Sequence, residues 1–149
     1  MCSSDLALDR AGRWDAALPE LQRAVQLAPD EPQALTWLAS AQVERGTDLP
    51  AAQALLERAS KLKPDDPEIT DALGRAYYAD GQLAKAVPLL EAAVRADPGG
   101  ARANEHLGDA YWRLGRRVEA RYAWRAAEVT ADPDDLARLK AKLADGLAQ

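Results

Sequence analysis

The residues that could perform chemistry in this chain are few and isolated. His106 is the only histidine and Cys2 the only cysteine, so neither can share a metal site with a second His or Cys. No Gly-x-Gly-x-x-Gly turn, phosphate loop or His-Glu-x-x-His pair occurs. A histidine without a neighbouring nucleophile or base is far more often a surface residue than a catalytic one. We therefore predict no catalytic residue, no metal site and no cofactor, and the chain is not expected to be an enzyme.

Two pairs of acidic residues, Asp65-Asp66 and Asp134-Asp135, have a structural explanation instead. Each pair adjoins a proline, Pro67 or Pro133, and proline suits the first turn of a helix. Carboxylates at a helix start cap free N–H groups and interact favourably with the helix dipole. These pairs indicate where helices begin.

Composition and charge exclude several classes of function. Hydrophobic residues make up 48% of the 149 residues but aromatic residues only 5%, so the apolar content is mostly Ala and Leu, which are strong helix formers. The net charge of -5 argues against nucleic-acid binding, which depends on neutralising phosphates. No run of eighteen apolar residues could cross a membrane. We expect a soluble protein. Composition does not show whether it is cytoplasmic or periplasmic.

The helices that would position binding residues recur every 34 residues. Residues 67–100 align without gaps with residues 101–134, residues 32–66 follow the same frame with one extra residue in the turn, and residues 1–31 hold a truncated copy. This spacing predicts one helix over about 14–27 and then helix pairs. The pairs are expected at about 33–45 with 50–62, 68–80 with 83–96, and 101–114 with 117–130.

Each repeated position has a physical role. Glycine is expected to end each first helix in a left-handed conformation, at Gly12, Gly46, Gly81 and Gly115. Small residues where two helices face each other allow the backbones to approach closely, among them Ala39, Gly74, Gly108, Ala52, Ala86 and Ala120. Residues 135–149 are too short for another pair and predict one amphipathic capping helix, with its apolar face formed by Leu136, Leu139, Leu143 and Leu147.

This pattern resembles the tetratricopeptide repeat family over nearly the whole chain. The residues that carry the resemblance include Leu73-Gly74, Tyr77, Gly81, Ala86 and their equivalents one repeat later. The resemblance implies an all-α, right-handed superhelical solenoid of antiparallel helix pairs, here a single domain over residues 1–149 that ends in the capping helix.

Several segments suggest that the chain is a fragment of a longer protein. The longer turn around Gly46 and the run from Leu107 to Arg117 are similar to the C-terminal portion of larger bacterial multi-repeat proteins. Residues 1–6 look like a translated sequencing-adapter tail, so the natural sequence is expected to begin near Ala7.

Binding residues follow from the resemblance. In this family the first helix of each pair lines a concave groove that takes a peptide or protein segment. Carried onto this chain, the candidate groove residues are Arg75, Tyr78, Arg102, Glu105, Asp109 and Trp112. Trp112 has the equal alternative of packing between helices. Of the positions where some family members clamp a C-terminal carboxylate, only Arg102 and His106 could hold an anion, which speaks against recognition of chaperone tails.

Three functions are compatible with these residues. The first is a non-catalytic scaffold that binds a protein or peptide in the groove. The second is architectural, in which the repeats end a longer solenoid, or self-associate through the apolar surface of the truncated N-terminal copy at Leu6, Leu8, Leu18 and Val25. The third is a regulatory appendage of an enzyme encoded upstream.

Overall fold

The chain forms eight consecutive α-helices in a computed structural model that describes the backbone of residues 3–148 and the side chains of residues 15–148. No strand occurs within residues 3–148. The fold is an all-α solenoid of antiparallel helix pairs, and every predicted pair begins and ends within one residue of its expected bounds. The helices are α1 (Ser3–Leu27), α2 (Pro32–Arg45), α3 (Leu49–Leu62), α4 (Pro67–Ala79), α5 (Leu83–Ala96), α6 (Ala101–Arg113), α7 (Arg117–Thr130) and α8 (Pro133–Asp145).

The N-terminal helix differs from the sequence prediction. We expected a helix over about 14–27 with Gly12 in the turn before it, but α1 is continuous over 25 residues and Gly12 lies inside it. Glycine costs a helix interior only about 1 kcal/mol relative to alanine, so it ends a helix only where packing favours a turn. Within residues 3–11 no separate first helix folds back onto α1.

The expected apolar surface of the N-terminal copy is described only in part. Met1 and Cys2 of the adapter-like segment lie outside the described residues, as do the side chains of Leu6 and Leu8, so those hypotheses stay predictions. Val25 packs against the buried cluster of Leu35, Ala59 and Ile69. It therefore contributes to the contact between α1 and the following repeat.

Helix boundaries follow the glycine and proline pattern in the three complete repeats. The glycines after the first helices have positive φ, +65° at Gly46, +75° at Gly81 and +79° at Gly115. Pro67 and Pro133 begin α4 and α8, as predicted. The Asp66 carboxylate accepts a hydrogen bond of 3.1 Å from the Ile69 N–H and thereby caps α4. Asp132 occupies the corresponding position before α8 but makes no side-chain cap hydrogen bond.

The two helices of each pair touch where the first helix carries a small residue. Gly74 of α4 faces Leu90 of α5, and Gly108 of α6 faces Trp124 of α7. Leu90 and Trp124 are both fully buried, as is Leu56 at the equivalent position of α3. The glycine and the large side chain are therefore complementary halves of one contact.

A tyrosine–glutamate hydrogen bond joins each repeat to the next. Tyr77 of α4 donates to the Glu57 carboxylate of α3, and Tyr111 of α6 donates to Glu91 of α5, both at 2.6 Å. The hydrogen bond to Glu57 and burial raise the pKa of Tyr77 to about 12. The equivalent position of α7 is Arg125, so this link is not continued after the last repeat.

The predicted capping helix is present as α8, but it spans Pro133–Asp145 rather than residues 135–149, so Leu147 lies beyond its end. Leu139 is fully buried in a cluster with Trp124, and Leu143 and Leu147 pack against the same cluster. No helix of the described part of the chain is both long and apolar enough to cross a membrane.

We predict that the two close-approach glycines differ in their tolerance of a methyl group. A Cβ at Gly108 would lie within 2.5 Å of Trp124 Nε1 and 3.0 Å of the Ala120 carbonyl oxygen, whereas at Gly74 it would meet the flexible Leu90 side chain at 2.8 Å. Because the indole is rigid and its Nε1 donates a hydrogen bond of 2.9 Å to Asp109, Gly108→Ala should lower the free energy of unfolding by about 2 kcal/mol or more, the scale of overpacking. Gly74→Ala should cost clearly less in the same urea-denaturation experiment. Equal effects would contradict this account of the contact.

Candidate functional site

The first helices α2, α4 and α6 lie side by side and form one surface. Side chains about 35 residues apart meet across them, as in the hydrogen bond from Gln33 to Glu68 and the contact from His106 to Asp71. These contacts define what we call the first-helix surface. Its polar residues are Glu44, Glu68, Asp71, Arg75, Tyr78, Arg102 and His106.

Two arginines on this surface have different environments. The Arg75 side chain is only 12% exposed, and its Nη1 lies 3.0 Å from Glu44 Oε1. The Arg102 side chain is 72% exposed, and its Nη2 lies 3.7 Å from the same Glu44 oxygen. Arg75 therefore serves mainly to join α4 to α2. Arg102 retains N–H donors that face solvent, since an arginine carries five.

Asp71 stands at the centre of the surface. Its Oδ1 lies 3.2 Å from His106 Nδ1, and its Oδ2 lies 3.8 Å from Arg75 Nε. Burial acts to raise the pKa of Asp71, but the hydrogen bond to His106 and the charges of His106, Arg75 and Arg102 outweigh it, so the pKa is lowered. Asp71 of α4 is therefore an anion that contacts His106 of α6 and Arg75 of its own helix.

An acidic cavity of about 530 Å³ opens beside Asp71. It lies between the start of α4 and the turn that joins α5 to α6. Four carboxylates and one guanidinium line it, and Lys63 Nζ lies 2.9 Å from one of these carboxylates, Asp66. The lining residues are Asp66, Pro67, Glu68, Asp71, Ala93, Asp97, Gly100, Ala101, Arg102 and Ala103.

The remaining part of α6 is covered by α8. The Arg138 guanidinium forms a two-point contact with the Glu105 carboxylate, with both N–H···O distances at 2.7 Å. Lys142 Nζ lies 2.6 Å from Glu105 and 2.8 Å from Asp109. Burial of Glu105 acts to raise its pKa, but the hydrogen bonds and charges of Arg138 and Lys142 lower it to about 2.

Trp112 belongs to the same contact with α8. Its ring centroid lies 5.4 Å from that of Trp124, with a tilt of 33° between the rings. The guanidinium groups of Arg117 and Arg121 lie over Trp112 at 4.9 and 5.2 Å. Gly146 lies so close to the indole that any Cβ at this position would overlap it. Trp112 therefore packs between helices and keeps part of its side chain exposed, so its place in a binding groove stays a prediction.

The six candidate groove residues thus divide into two groups. Arg75, Tyr78 and Arg102 lie on the first-helix surface, where the Tyr78 hydroxyl accepts a hydrogen bond of 3.4 Å from Arg113 Nε. The other three lie under or beside α8, namely Glu105, Asp109 and Trp112.

Sequence reasoning missed Glu44 and the two cations of α8. The signal for α8 was present, because Arg138 and Lys142 are four residues apart and so share a face of an amphipathic helix. Glu44 could have been found because it follows Val43, a position that the family resemblance also places on the groove face of α2. Within residues 15–148, no group of three or more His, Cys, Asp and Glu residues could hold a metal ion.

Comparison with known proteins identifies the repeat. Two family models, both described as tetratricopeptide repeat, match residues 10–76 and 71–135 and together span most of the chain. No curated protein matches the chain significantly.

Solved structures share the fold. TTC0263, a thermophilic tetratricopeptide repeat protein of Thermus thermophilus, is 28% identical with a TM-score of 0.78, over 94% of this chain and 76% of that one. MamA of Desulfovibrio magneticus RS-1 is 23% identical with a TM-score of 0.68, over 84% and 70%. The Sgt2 repeat domain of Aspergillus fumigatus is 23% identical with a TM-score of 0.65, over 76% and 80%. At this identity the last two show likeness of fold alone.

We predict that acid weakens the attachment of α8. Because the folded-state pKa of Glu105 is about 2 against an ordinary value of 4.5, its ion pairs contribute fully above pH 4.5 and are lost as the pH falls towards 2. Glu105→Gln should lower the free energy of unfolding at pH 7 by about 2 kcal/mol, less than a fully buried pair because Arg138 is half exposed.

The difference between wild type and Glu105→Gln isolates this group from the other carboxylates. Measured by urea denaturation at several pH values, that difference should shrink between pH 4.5 and 2. Glu20→Gln, at an exposed position of α1, is the matched control and should show no such trend. A difference that is constant with pH would contradict the assignment.

Proposed function

Because the chain belongs to the tetratricopeptide repeat family, we propose that it is a non-catalytic scaffold that binds a segment of another protein on its first-helix surface. Proteins of this family are typically protein-interaction scaffolds. The observation that carries the proposal is the acidic cavity next to the exposed Arg102, because it combines both signs of charge where α4 and α6 meet the turn that precedes α6.

The charges of this surface favour a particular kind of segment. The cavity is lined by Asp66, Glu68, Asp71 and Asp97, so it suits the ammonium or guanidinium group of a lysine or arginine side chain. Arg102 at its edge suits a carboxylate of the same segment. We therefore infer that the ligand is a segment in which a basic residue lies close to an acidic one.

The part of the surface under α8 takes no part in this proposal. Glu105 and Asp109 already accept hydrogen bonds from Arg138 and Lys142, and Trp112 is in contact with Trp124. Glu105 is buried, and Asp109 and Trp112 are only partly exposed, so a ligand would reach little of these residues while α8 is in place. The binding region is therefore the portion formed by α2, α4 and the first half of α6.

The architectural function is the second candidate, and the packing of α8 supports it. With Leu139 and Trp124 fully buried between them, α7 and α8 close the apolar end of the array. A helix that covers the apolar face of the repeat before it serves as a cap in solenoid proteins. This role and the binding of a segment elsewhere on the chain are compatible.

We predict that selection from a library of random peptides displayed on phage yields ligands that contain a lysine or arginine. The double variant Glu68→Lys/Asp97→Lys should weaken binding of a selected peptide at least tenfold by fluorescence anisotropy, because it replaces two of the four carboxylates of the cavity. A tenfold change in the dissociation constant corresponds to about 1.4 kcal/mol.

The control makes the same change of charge away from the cavity. Glu20→Lys/Asp145→Lys alters two exposed positions, in α1 and at the end of α8, and should bind the peptide as the wild type does. All three proteins should have equal melting temperatures. An equal loss in both double variants would show non-specific attraction, and a library without enriched peptides would refute the proposed binding surface.

A further inference from the structure

The outer face of α7 carries large apolar side chains in contact with solvent. Val118 is 66% exposed, Tyr122 68% and Val129 82%. Together with Arg125 they lie at helix positions i, i+4, i+7 and i+11, within about 60° of one another at about 100° per residue. We call Val118, Tyr122, Arg125 and Val129 the α7 stripe.

The α7 stripe is peculiar to the last repeat. The equivalent three apolar positions hold small or polar residues on the earlier second helices, namely Pro50, Ala54 and Lys61 on α3, and Ala84, Pro88 and Arg95 on α5. At the fourth position, Arg125 replaces the glutamates that accept hydrogen bonds from the next repeat, Glu57 and Glu91. The repeat fold therefore does not require this apolar face.

The α7 stripe is nearly symmetric about its midpoint. Read from either end, it has the same spacing and begins with the same residue type. The spacings are four, three and four residues, with valine at both ends. When two such helices pair antiparallel about a two-fold axis, each residue faces one at the mirrored position. Val118 would then face Val129 of a second copy, and Tyr122 would face Arg125. We propose that the chain self-associates as a two-fold dimer through antiparallel α7 helices.

The pairing of arginine with tyrosine is chemically favourable. An arginine guanidinium over an aromatic face is attracted by the electron-rich ring. The chain already uses this contact internally, where Arg116 lies 4.2 Å from the centre of the Tyr111 ring. A dimer with a two-fold axis would contain two Tyr122–Arg125 contacts, one on each side of the axis. A Val118–Val129 pair would lie further out on each side.

Charges beside the stripe are also complementary. Arg117 and Glu128 lie on the same flank of α7, and an antiparallel partner brings the Glu128 of one copy towards the Arg117 of the other, whose guanidinium lies over Trp112 within its own chain. On the opposite flank Glu119 is already paired with Arg116 at 3.1 Å. Arg121 is directed away from the stripe, because its Nε donates to the Leu143 carbonyl oxygen. The flank charges therefore favour a second copy in this orientation.

The contact involves one helix from each copy and is small. Interfaces at the low end of the size range are weak, so we expect a dissociation constant on the order of tens of micromolar. None of the stripe residues belongs to the first-helix surface. Dimerisation and the proposed binding of a peptide can therefore succeed or fail independently.

Sedimentation equilibrium from about 5 to 500 µM tests the proposal, a range that brackets the expected constant. The wild type should change from monomer to dimer, and Tyr122→Glu and Val129→Ser should each weaken dimerisation at least tenfold. Both residues are exposed, so melting temperatures should stay equal. Leu27→Glu, which changes another exposed apolar residue near the N-terminal copy, should dimerise as the wild type does.

A charge exchange tests the orientation. Glu128→Arg should weaken the dimer by placing two cations together, and Arg117→Glu/Glu128→Arg should restore it. A wild type that stays monomeric at 500 µM would overturn the proposal. This holds even if the α7 stripe then proves to bind a helix of another protein. So would a dimer that Leu27→Glu abolishes and Tyr122→Glu does not. Failure of the charge exchange to restore association would overturn the antiparallel arrangement.

Discussion

The close approach of two antiparallel helices within each repeat is the constraint on which the rest of the structure depends. At Gly108 the backbone of α6 lies against the Trp124 indole, and at Gly74 the backbone of α4 lies against Leu90. These contacts set the distance between the first and second helix of a pair. The first helices α2, α4 and α6 lie side by side, and their polar side chains meet across them.

Contacts between repeats use a second, polar set of interactions. On the side of the second helices, the Tyr77–Glu57 and Tyr111–Glu91 hydrogen bonds join one repeat to the next at equal intervals. On the first-helix surface, Arg75 with Glu44 and His106 with Asp71 do the same. The ionic groups that define the candidate binding surface are therefore also part of what holds the repeats together. Arg102, which is 72% exposed, differs in having most of its guanidinium available to a ligand.

The end of the array is closed by charge as well as by apolar packing. The leucines of α8 cover Trp124, while Arg138 and Lys142 pair with Glu105 and Asp109. The buried charge of Glu105 would be costly without both cations, so α8 must lie where Arg138 and Lys142 can reach this carboxylate. This explains why α8 lies over α6 as well as α7. It also explains why acidic residues at groove positions do not form part of an open groove here.

The sequence by itself determined the helices, their order and their pairing, because these depend on local signals that recur every 34 residues. Glycine at Gly46, Gly81 and Gly115 and proline at Pro67 and Pro133 were enough to place the helix ends within one residue. The same reasoning was wrong at Gly12, because a glycine alone does not interrupt α1. Only the tertiary structure decided which groove positions are open. Spacing places Glu105, Asp109 and Trp112 on the same face as Arg75 and Tyr78, but their exposure depends on where α8 packs, and that is set by pairings between residues 33 to 37 apart in the chain.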